Sequence, residues 1–218
     1  MKKILASLLV LALSFLLSAP VEAASAKPAP TKQDILVMKH NLLTLWKMGI
    51  KSSQPMGEAE LMASTLVFLL QGELEESVEE ISSNPDRFTN LPPDYSLFVL
   101  RQKVESTAFL VFNGFVGQSL PSGVFLGAEG YYINPIALVQ SHAAMDGEGY
   151  LPAYCTIESQ MQQADGTLIL NGRMRRFKQH PDTGQEILWA SAPFMARFAP
   201  TERGWQLVSF IFTEEAMG

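Results

Sequence analysis

Hydrophobic residues in the first half of the chain recur at helical spacing. Thr31, followed three residues later by Asp34, has the form of a helix cap, and Gly49 supplies a stop. Between them lie apolar positions three or four residues apart: Ile35, Met38, Leu42, Leu45 and Trp46. After a Pro-Met-Gly break, the pattern predicts a second helix over Glu58–Gln71, with a centre that is apolar on all sides and therefore buried.

The middle of the chain has weaker patterns. Residues 73–81 predict a short, Glu-rich amphipathic helix, and a fourth helix is predicted to begin after Asp94. Residues 107–116 are rich in Phe and Val, so the pattern leaves helix and strand open there. Six glycines between Gly117 and Gly149 mark turns, and only 131–140 within this stretch is typical of a strand.

The C-terminal part alternates between strand-like runs and short turn clusters. The predicted strands cover residues 154–163, 167–178, 186–199 and 205–213. Short turns between successive strands indicate antiparallel neighbours, so these four form a meander. The sequence therefore predicts an α+β protein in which N-terminal helices pack on a C-terminal curved antiparallel β-meander.

The first turn of the meander allows a register to be predicted. A two-residue loop at Asp165-Gly166 places Glu158 opposite Arg173 on a polar face. The same register places Ile157 opposite Met174 on a mostly apolar face. A register shifted by one residue would bury the two charged side chains, which favours the first arrangement.

The last turn predicts a sheet with two apolar faces. A three-residue loop at 202–204 pairs Phe194 with Phe212 on one face and Met195 with Ile211 on the other. One face is expected to pack on the helices. The second must line a pocket, contact a partner or be covered by the Gly-rich segment. This is the main structural indication of function.

Three residues are assigned to that second face as candidate ligand-binding residues. Trp189 and Trp205 are predicted to lie on the same side as Arg197, which the register places opposite Ser209. Arg197 is the expected polar residue of a pocket otherwise lined by aromatic and apolar side chains.

The first residues of the chain have a different pattern. Lys2 and Lys3 precede 14 apolar or small residues, which are followed by small residues suited to cleavage after Ala23 or Ala26. The apolar stretch is shorter than the roughly 20 residues that a membrane-spanning helix needs. We therefore expect a signal peptide over residues 1–26 and export to the periplasm or beyond, and the alternative is an uncleaved membrane anchor. Residues 27–57 then form a Pro-rich lead with the first helix, and residues 58–218 form the α+β domain.

Composition narrows the function classes. The net charge is −6 with a pI near 5.1, and loss of residues 1–26 would leave −7 over 192 residues. This acidity argues against nucleic-acid binding, which needs a basic surface to displace counterions. The single cysteine excludes an intrachain disulfide and a zinc site built from several cysteines. No later apolar run is long enough to predict an integral membrane segment after cleavage.

Residues capable of catalysis form no recognisable motif. Ser141, His142 and Asp146 are the residue types of a nucleophilic triad, but three neighbours in one loop are more typical of a polar turn. His40 and His180 are distant from one another, with no metal-ligand spacing. We therefore expect neither a metal nor a cofactor.

The lone cysteine has two interpretations. The predicted register places Cys155 opposite Arg176, and a guanidinium there would lower the thiol pKa and make the thiol reactive. A single cysteine in a strand is more often a small buried apolar group.

The order of elements resembles a known superfamily. Helices followed by a long curved meander, closing on residues 204–210 with the sequence GWQLVSF, is similar to the cone-shaped nuclear transport factor two-like superfamily. The resemblance covers about residues 58–213. It implies a cone with a possible interior site, in a superfamily that includes isomerases, dehydratases and non-catalytic binding modules. No local motif matches the acid–base residues of its enzymes, so the resemblance assigns no catalytic residue.

Two functions remain. The favoured one is an exported, non-catalytic binding or accessory protein that holds a protein partner or a small apolar ligand on its curved sheet. A homodimer formed through the same sheet face is a further alternative. The other function is a small isomerase, dehydratase or hydrolase with a pocket inside the cone. It requires a carboxylate or histidine among Trp189, Met195 and Trp205, where the register provides only Arg197 and Ser209 as polar groups.

Overall fold

A computed structural model describes residues 29–71, 78–88, 91, 94–141 and 152–213. Its α-helices are α1 (Lys32–Lys47), α2 (Glu58–Gln71), α3 (Arg101–Phe112) and α4 (Pro135–Ser141). One four-stranded sheet comprises β1 (Glu79–Glu80), β2 (Leu97–Leu100), β3 (Val124–Leu126) and β4 (Gly130–Ile133). The other comprises β5 (Ala153–Gln162), β6 (Leu168–Gln179), β7 (Glu186–Thr201) and β8 (Gly204–Phe212).

The first two helices have the predicted positions. The Thr31 hydroxyl accepts a hydrogen bond from the Asp34 backbone N–H at 3.1 Å, and the Asp34 carboxylate accepts one from the Thr31 N–H at 2.8 Å. This reciprocal pair satisfies two N–H groups that a helix start leaves open. Gly49 has a φ of 75°, a left-handed conformation suited to glycine after a helix. In α2 every residue from 61 to 69 is buried, as its apolar centre indicated.

The middle of the chain differs from the prediction. Residues 97–100 form β2 instead of the start of a helix, and α3 begins only at Arg101. The helix extends to Phe112, which decides the open alternative at residues 107–112 in favour of helix. Only residues 130–133 of the predicted strand at 131–140 are extended, and α4 follows them.

Strand pairing explains these differences. The antiparallel partners β2 and β4 pair through Phe98 with Tyr132 and Leu100 with Gly130. A side chain at Gly130 would collide with the Val99 carbonyl oxygen, so the close approach of the strands depends on glycine there. The resulting antiparallel sheet, in the order β1-β2-β4-β3, has no counterpart in the sequence prediction.

The Glu-rich helix predicted over residues 73–81 is wrong for residues 78–81, the part of it that the structure describes. Glu79 and Glu80 form β1 and pair with Phe98 and Leu97, and a single 3₁₀ turn follows at Ile81–Ser83. Residues 72–77 lie outside the described part of the chain. Pairing with β2 replaces local helical hydrogen bonds at Glu79 and Glu80.

The C-terminal meander confirms the predicted fold class. The strands β5 to β8 lie side by side in chain order, each antiparallel to the next. Their bounds differ from the predicted ones by one or two residues. Helix α1 contacts β5 and β8, and α3 contacts β8, so the helices cover one face of this sheet. The protein is therefore α+β, with helices in the N-terminal half and an antiparallel meander at the C-terminus.

The first hairpin of the meander has a different register from the predicted one. Gly166 has a φ of 86° and ends a three-residue loop, and the Gln163 N–H donates to the Thr167 carbonyl at 2.7 Å. A bulge at Glu158 then shifts the pairing again. Glu158 is therefore not directly opposite Arg173, although the Arg173 Nε still lies 3.6 Å from its Oε1.

The last hairpin has the predicted register over half its length. Four pairs from Phe194–Phe212 to Arg197–Ser209 are confirmed. Between Ser209 and Leu207 a bulge at Val208 shifts the remaining pairs, so Phe198 pairs with Leu207 and the loop has two residues. The extra residue reverses the side of the sheet on which the residues of β8 before Val208 lie. Trp205 therefore lies on the face opposite to the predicted face.

The core lies between the helices and the covered face of the meander. Alternate residues of β6 and β7 point into it and are almost completely buried: Leu168, Leu170, Met174, Ala196 and Phe198. The apolar centre of α2 belongs to the same cluster, as do the inward residues of α1 and α3. We call the other side of the meander the outer face. It carries Tyr154, Met161, Ile169, Asn171, Arg173, Arg175, Met195, Arg197, Ser209 and Ile211.

Candidate functional site

The three sequence-predicted site residues lie apart. Trp189 is 38% exposed near the β6–β7 turn, where the Lys178 ammonium stands 3.4 Å from its ring centroid. Arg197 is exposed on the outer face, eight residues along β7, or roughly 25 Å at strand rise. Trp205 is partly buried against the core on the covered face. The structure therefore does not bring the Trp189, Arg197 and Trp205 side chains into one pocket.

The outer face is both apolar and cationic. Four large side chains on it are about half exposed: Tyr154, Met161, Met195 and Ile211. Arg175 donates to the Thr156 hydroxyl at 3.4 Å, and Arg197 is exposed at the other end of the sheet. This is the second apolar face that the sequence predicted, although Trp205 does not belong to it.

A cleft of about 370 Å³ lies on the opposite side of the last strand. We call it the β8 cleft, because β8, the connection at residues 50–56 and the C-terminal end of α3 surround it. The connection is tied to the edge of β8 at three points. Ser53 N–H donates to the Phe210 carbonyl at 3.1 Å, Phe210 N–H donates to the Ser53 hydroxyl at 2.8 Å, and Phe212 N–H donates to the Lys51 carbonyl at 2.8 Å.

The helical wall of the β8 cleft is fixed by the end of α3. Asn113 has a φ of 51° and terminates the helix in a left-handed conformation that Asn tolerates well. The Gln206 amide donates to the Asn113 side-chain oxygen at 2.8 Å and to the Phe109 carbonyl at 3.1 Å. These bonds hold the helix end against β8 and set the width of the cleft.

The lining of the β8 cleft is apolar with a few uncharged polar groups. Leu61, Val111 and Leu207 form apolar walls, while Ser52 and Gln54 offer hydroxyl and amide groups. Among the residues that the structure describes, none that lines the cleft is an Asp, Glu, His, Cys, Lys or Arg. The described lining therefore provides hydrogen bonds and apolar contact, and it contains no side chain that exchanges a proton near neutral pH.

Sequence reasoning did not identify this cleft. The sequence pattern predicts only a helix break at Pro55-Met56-Gly57, although Ser52-Ser53-Gln54 before it is a polar run with several side-chain hydrogen-bonding groups. Asn113 followed by Gly114 at the end of an apolar helix was a usable signal for a helix stop. Neither pattern indicates that the two segments meet across β8.

The lone cysteine is buried instead of reactive. Cys155 is 9% exposed, and burial raises the pKa of its thiol to about 11. Its partner across the strands is Met174, while Arg176 pairs with Ala153, so the predicted Cys155–Arg176 pair is wrong. The Arg176 guanidinium is itself buried and lies 4.9 Å from the Trp46 ring centroid.

The structure does not bring the remaining candidate catalytic residues together in one described site. His142 and Asp146 lie outside the described residues, as does the side chain of Ser141. The His180 Nδ1 accepts a hydrogen bond from the Asp182 N–H at 3.2 Å within an exposed turn. Over the described ranges, no three His, Cys, Asp or Glu residues are grouped so that they could hold a metal ion.

Comparison with known proteins adds no relative. The chain matches no family model, and no curated protein or solved structure shows significant similarity to it. Within the described part of the chain, every helix is too short or too polar to span a membrane. The function proposed below therefore rests on the α+β architecture of the protein and on the geometry of its cavities.

Proposed function

We propose that this chain is an exported, non-catalytic binding protein that holds a small, uncharged, mainly apolar ligand in the β8 cleft. The observation that carries the proposal is the cleft itself, with a volume of about 370 Å³, apolar walls and no ionisable side chain among the described residues that line it. Ligand sites typically have volumes of roughly 300–1,000 Å³ and a few placed polar groups. Burying a charged ligand here would leave its charge unpaired, which favours a neutral one.

The same cleft supports binding over catalysis. General acid–base chemistry needs a carboxylate, histidine or similar group within hydrogen-bond reach of the reacting atoms. The polar side chains of the described lining carry hydroxyl and amide groups. The enzyme alternative would need an ionisable group at this cleft, and no described lining residue has one.

We also propose that the meander and its helices form a nuclear transport factor two-like cone. The closing residues 204–210, the long β6 and β7 strands and the helices on one face support this assignment. In such a cone the ligand site lies between sheet and helices, as the β8 cleft does. The layout of residues 1–26 supports export. Fractionation and N-terminal sequencing test it, with a mature chain expected to begin at Ala24 or Lys27.

The ligand proposal is tested by blocking the cleft. Val208 lines the β8 cleft, whereas the next residue, Ser209, lies on the outer face opposite Arg197. N-phenyl-1-naphthylamine is an uncharged apolar probe that fluoresces when it leaves water. We expect the protein to bind it, V208W to weaken binding at least tenfold, and the matched control S209W to leave binding within twofold. Equal effects of the two variants would contradict the proposal.

Association with an acidic protein partner is a second candidate, favoured by the outer face. Among the described residues of this face, Arg173, Arg175 and Arg197 outnumber the carboxylates, of which Glu158 lies beside Arg173, on a chain with net charge −6. Half-exposed Met195 and its neighbours add apolar contact area. Such a surface complements a partner with acidic and apolar side chains, and repels a second copy of the same face.

A labelled copolymer of glutamate and tyrosine tests this second candidate. We expect binding that weakens with salt and is lost in the R175E/R197E variant, because screening and charge reversal both remove the attraction. Sedimentation velocity of the protein alone should show a monomer. A dimer that the same variant abolishes would instead support the homodimer and contradict the acidic-partner hypothesis.

A further inference from the structure

A second cavity, of about 390 Å³, lies at the other end of α3. We call it the charged cavity, because Arg101, Glu105 and the phenol of Tyr131 line it. Its apolar lining comes from Val116, Leu120 and Leu126. Arg101 and Glu105 lie in the first half of α3, whereas Val111 and Phe112 near its C-terminal end line the β8 cleft.

Arg101 and Glu105, the two opposite charges of this cavity, form no ion pair with each other among the described contacts. Arg101 and Glu105 are four residues apart on one helix, a spacing that permits an ion pair. Within the described part of the chain, no hydrogen bond or ion pair joins them. The Arg101 Nη2 instead lies 3.5 Å from the Gly127 carbonyl, and its backbone N–H donates to the Glu129 carbonyl at 3.1 Å. The Arg101 guanidinium thus lies next to the turn between β3 and β4.

Tyr131 adds a hydrogen-bonding group to the lining of the same cavity. Its side chain is 4% exposed, and among the described residues its hydroxyl has no hydrogen-bond partner. Burial raises the pKa of Tyr131, Arg101 lowers it and Glu105 raises it. Both charged groups therefore act on the phenol, which stays protonated at neutral pH and can donate or accept a hydrogen bond.

The charges of the cavity favour a ligand that carries both a negative and a positive group. A simple anion would be attracted by Arg101 and repelled by Glu105, whereas a simple cation would be attracted by Glu105 and repelled by Arg101. A molecule with a carboxylate and an ammonium group can contact both residues and Tyr131. Leu120 and Leu126, both more than a third exposed, would be covered by an apolar substituent on the same molecule.

We propose that the charged cavity binds a small zwitterion with an apolar substituent, the chemical class of the apolar α-amino acids. Arg101 binds the carboxylate, Glu105 binds the ammonium group, and Tyr131 donates to the carboxylate. This site is independent of the β8 cleft and of the neutral ligand proposed there.

Isothermal titration calorimetry of the purified protein tests the proposal with leucine, methionine and phenylalanine as probes. Two analogues of leucine each lack one charge: 4-methylpentanoate and 3-methylbutylamine. We expect at least one amino acid to bind, and the leucine analogues to bind at least tenfold more weakly than leucine or not at all. No binding of any of the three amino acids at millimolar concentration would overturn the proposal, as would an analogue equal to leucine.

Variants assign the bound amino acid to this cavity. R101Q, E105Q and Y131F should each raise its dissociation constant about tenfold or more, because each removes a charge-assisted or buried hydrogen bond. Arg101 and Glu105 are exposed, so their variants keep the fold. R197Q on the outer face and V208W in the β8 cleft are the controls, expected to change affinity less than twofold. An unchanged affinity in E105Q, or a loss in V208W, would overturn the assignment. Failure of N-phenyl-1-naphthylamine binding would leave this result unaffected.

Discussion

Replacing Gly172 by alanine should destabilise the meander strongly. Gly172 lies in the middle of β6, between Ile157 of β5 and Phe194 of β7. A Cβ at this position would collide with the Thr156 carbonyl oxygen and lie 2.8 Å from two ring carbons of Phe194. A backbone oxygen in a paired strand cannot rotate away as a flexible side chain can, so the strands must separate or the bulge next to Ile157 must change.

The expected cost follows from the kind of collision. Overpacking a well-packed core costs typically 1–3 kcal/mol, and a backbone obstacle places G172A near the upper end, at about 3 kcal/mol. For a chain of this size, 1 kcal/mol corresponds to roughly 2–4 °C in melting temperature, so the midpoint should fall by about 6–12 °C. G57A is the matched control, because no atom lies within 4 Å of its added Cβ and its φ is not positive.

Urea unfolding followed by circular dichroism measures both variants. We expect the same dependence on urea concentration for all three proteins and a lower midpoint for G172A alone. G57A should lie between no change and a gain of about 1 kcal/mol, because alanine restricts the unfolded chain. A G172A free energy of unfolding within 1 kcal/mol of that of G57A would refute the close approach of β5, β6 and Phe194.

Three further predictions concern the core, the first helix and the cysteine. F198A removes a completely buried ring and should cost about 3–5 kcal/mol of unfolding free energy. T31A should cost about 1 kcal/mol at neutral pH. Hydrogen bonds from Thr31 lower the pKa of Asp34 below its ordinary 3.8, so the extra unfolding free energy of the wild type over T31A is present above that pH and is lost as pH falls through the folded-state pKa. A difference in unfolding free energy that stays unchanged down to pH 2 would contradict this. At pH 8 a thiol with a pKa of about 11 is ionised in only about one molecule in a thousand. Cys155 should therefore react with Ellman's reagent over a hundredfold faster in the urea-unfolded protein than in the folded protein. Equal rates would contradict the burial of the thiol.

Elements whose hydrogen bonds and apolar pattern are local were predictable. The bounds of α2 match the prediction, and α1 has its predicted capping pair and glycine stop. The four strands of the meander were predictable because alternating residues and short turns are themselves local signals. The Leu97–Leu100 strand was not, because its extended form depends on pairing with β4, whose residues lie 30 to 36 positions further along the chain.

The candidate sites were less predictable than the fold. Residues of the β8 cleft come from four segments that only tertiary contacts bring together, such as Ser53 against Phe210 and Gln206 against Asn113. In the charged cavity, the Arg101–Glu105 spacing is visible in the sequence, but the buried Tyr131 beside it is not. A pocket is a property of the space between elements, and periodicity describes each element alone.

The sequence by itself determined the class of the protein: helices first, an antiparallel meander last, and a second sheet face with exposed apolar residues. Hydrophobic periodicity carries that information because each element must bury one side. Only the tertiary structure decided which side chains share a face. The bulges at Glu158 and Val208 each insert one residue, and one residue reverses the sides of a strand. For that reason Trp205 packs against the core while Arg197 remains on the outer face.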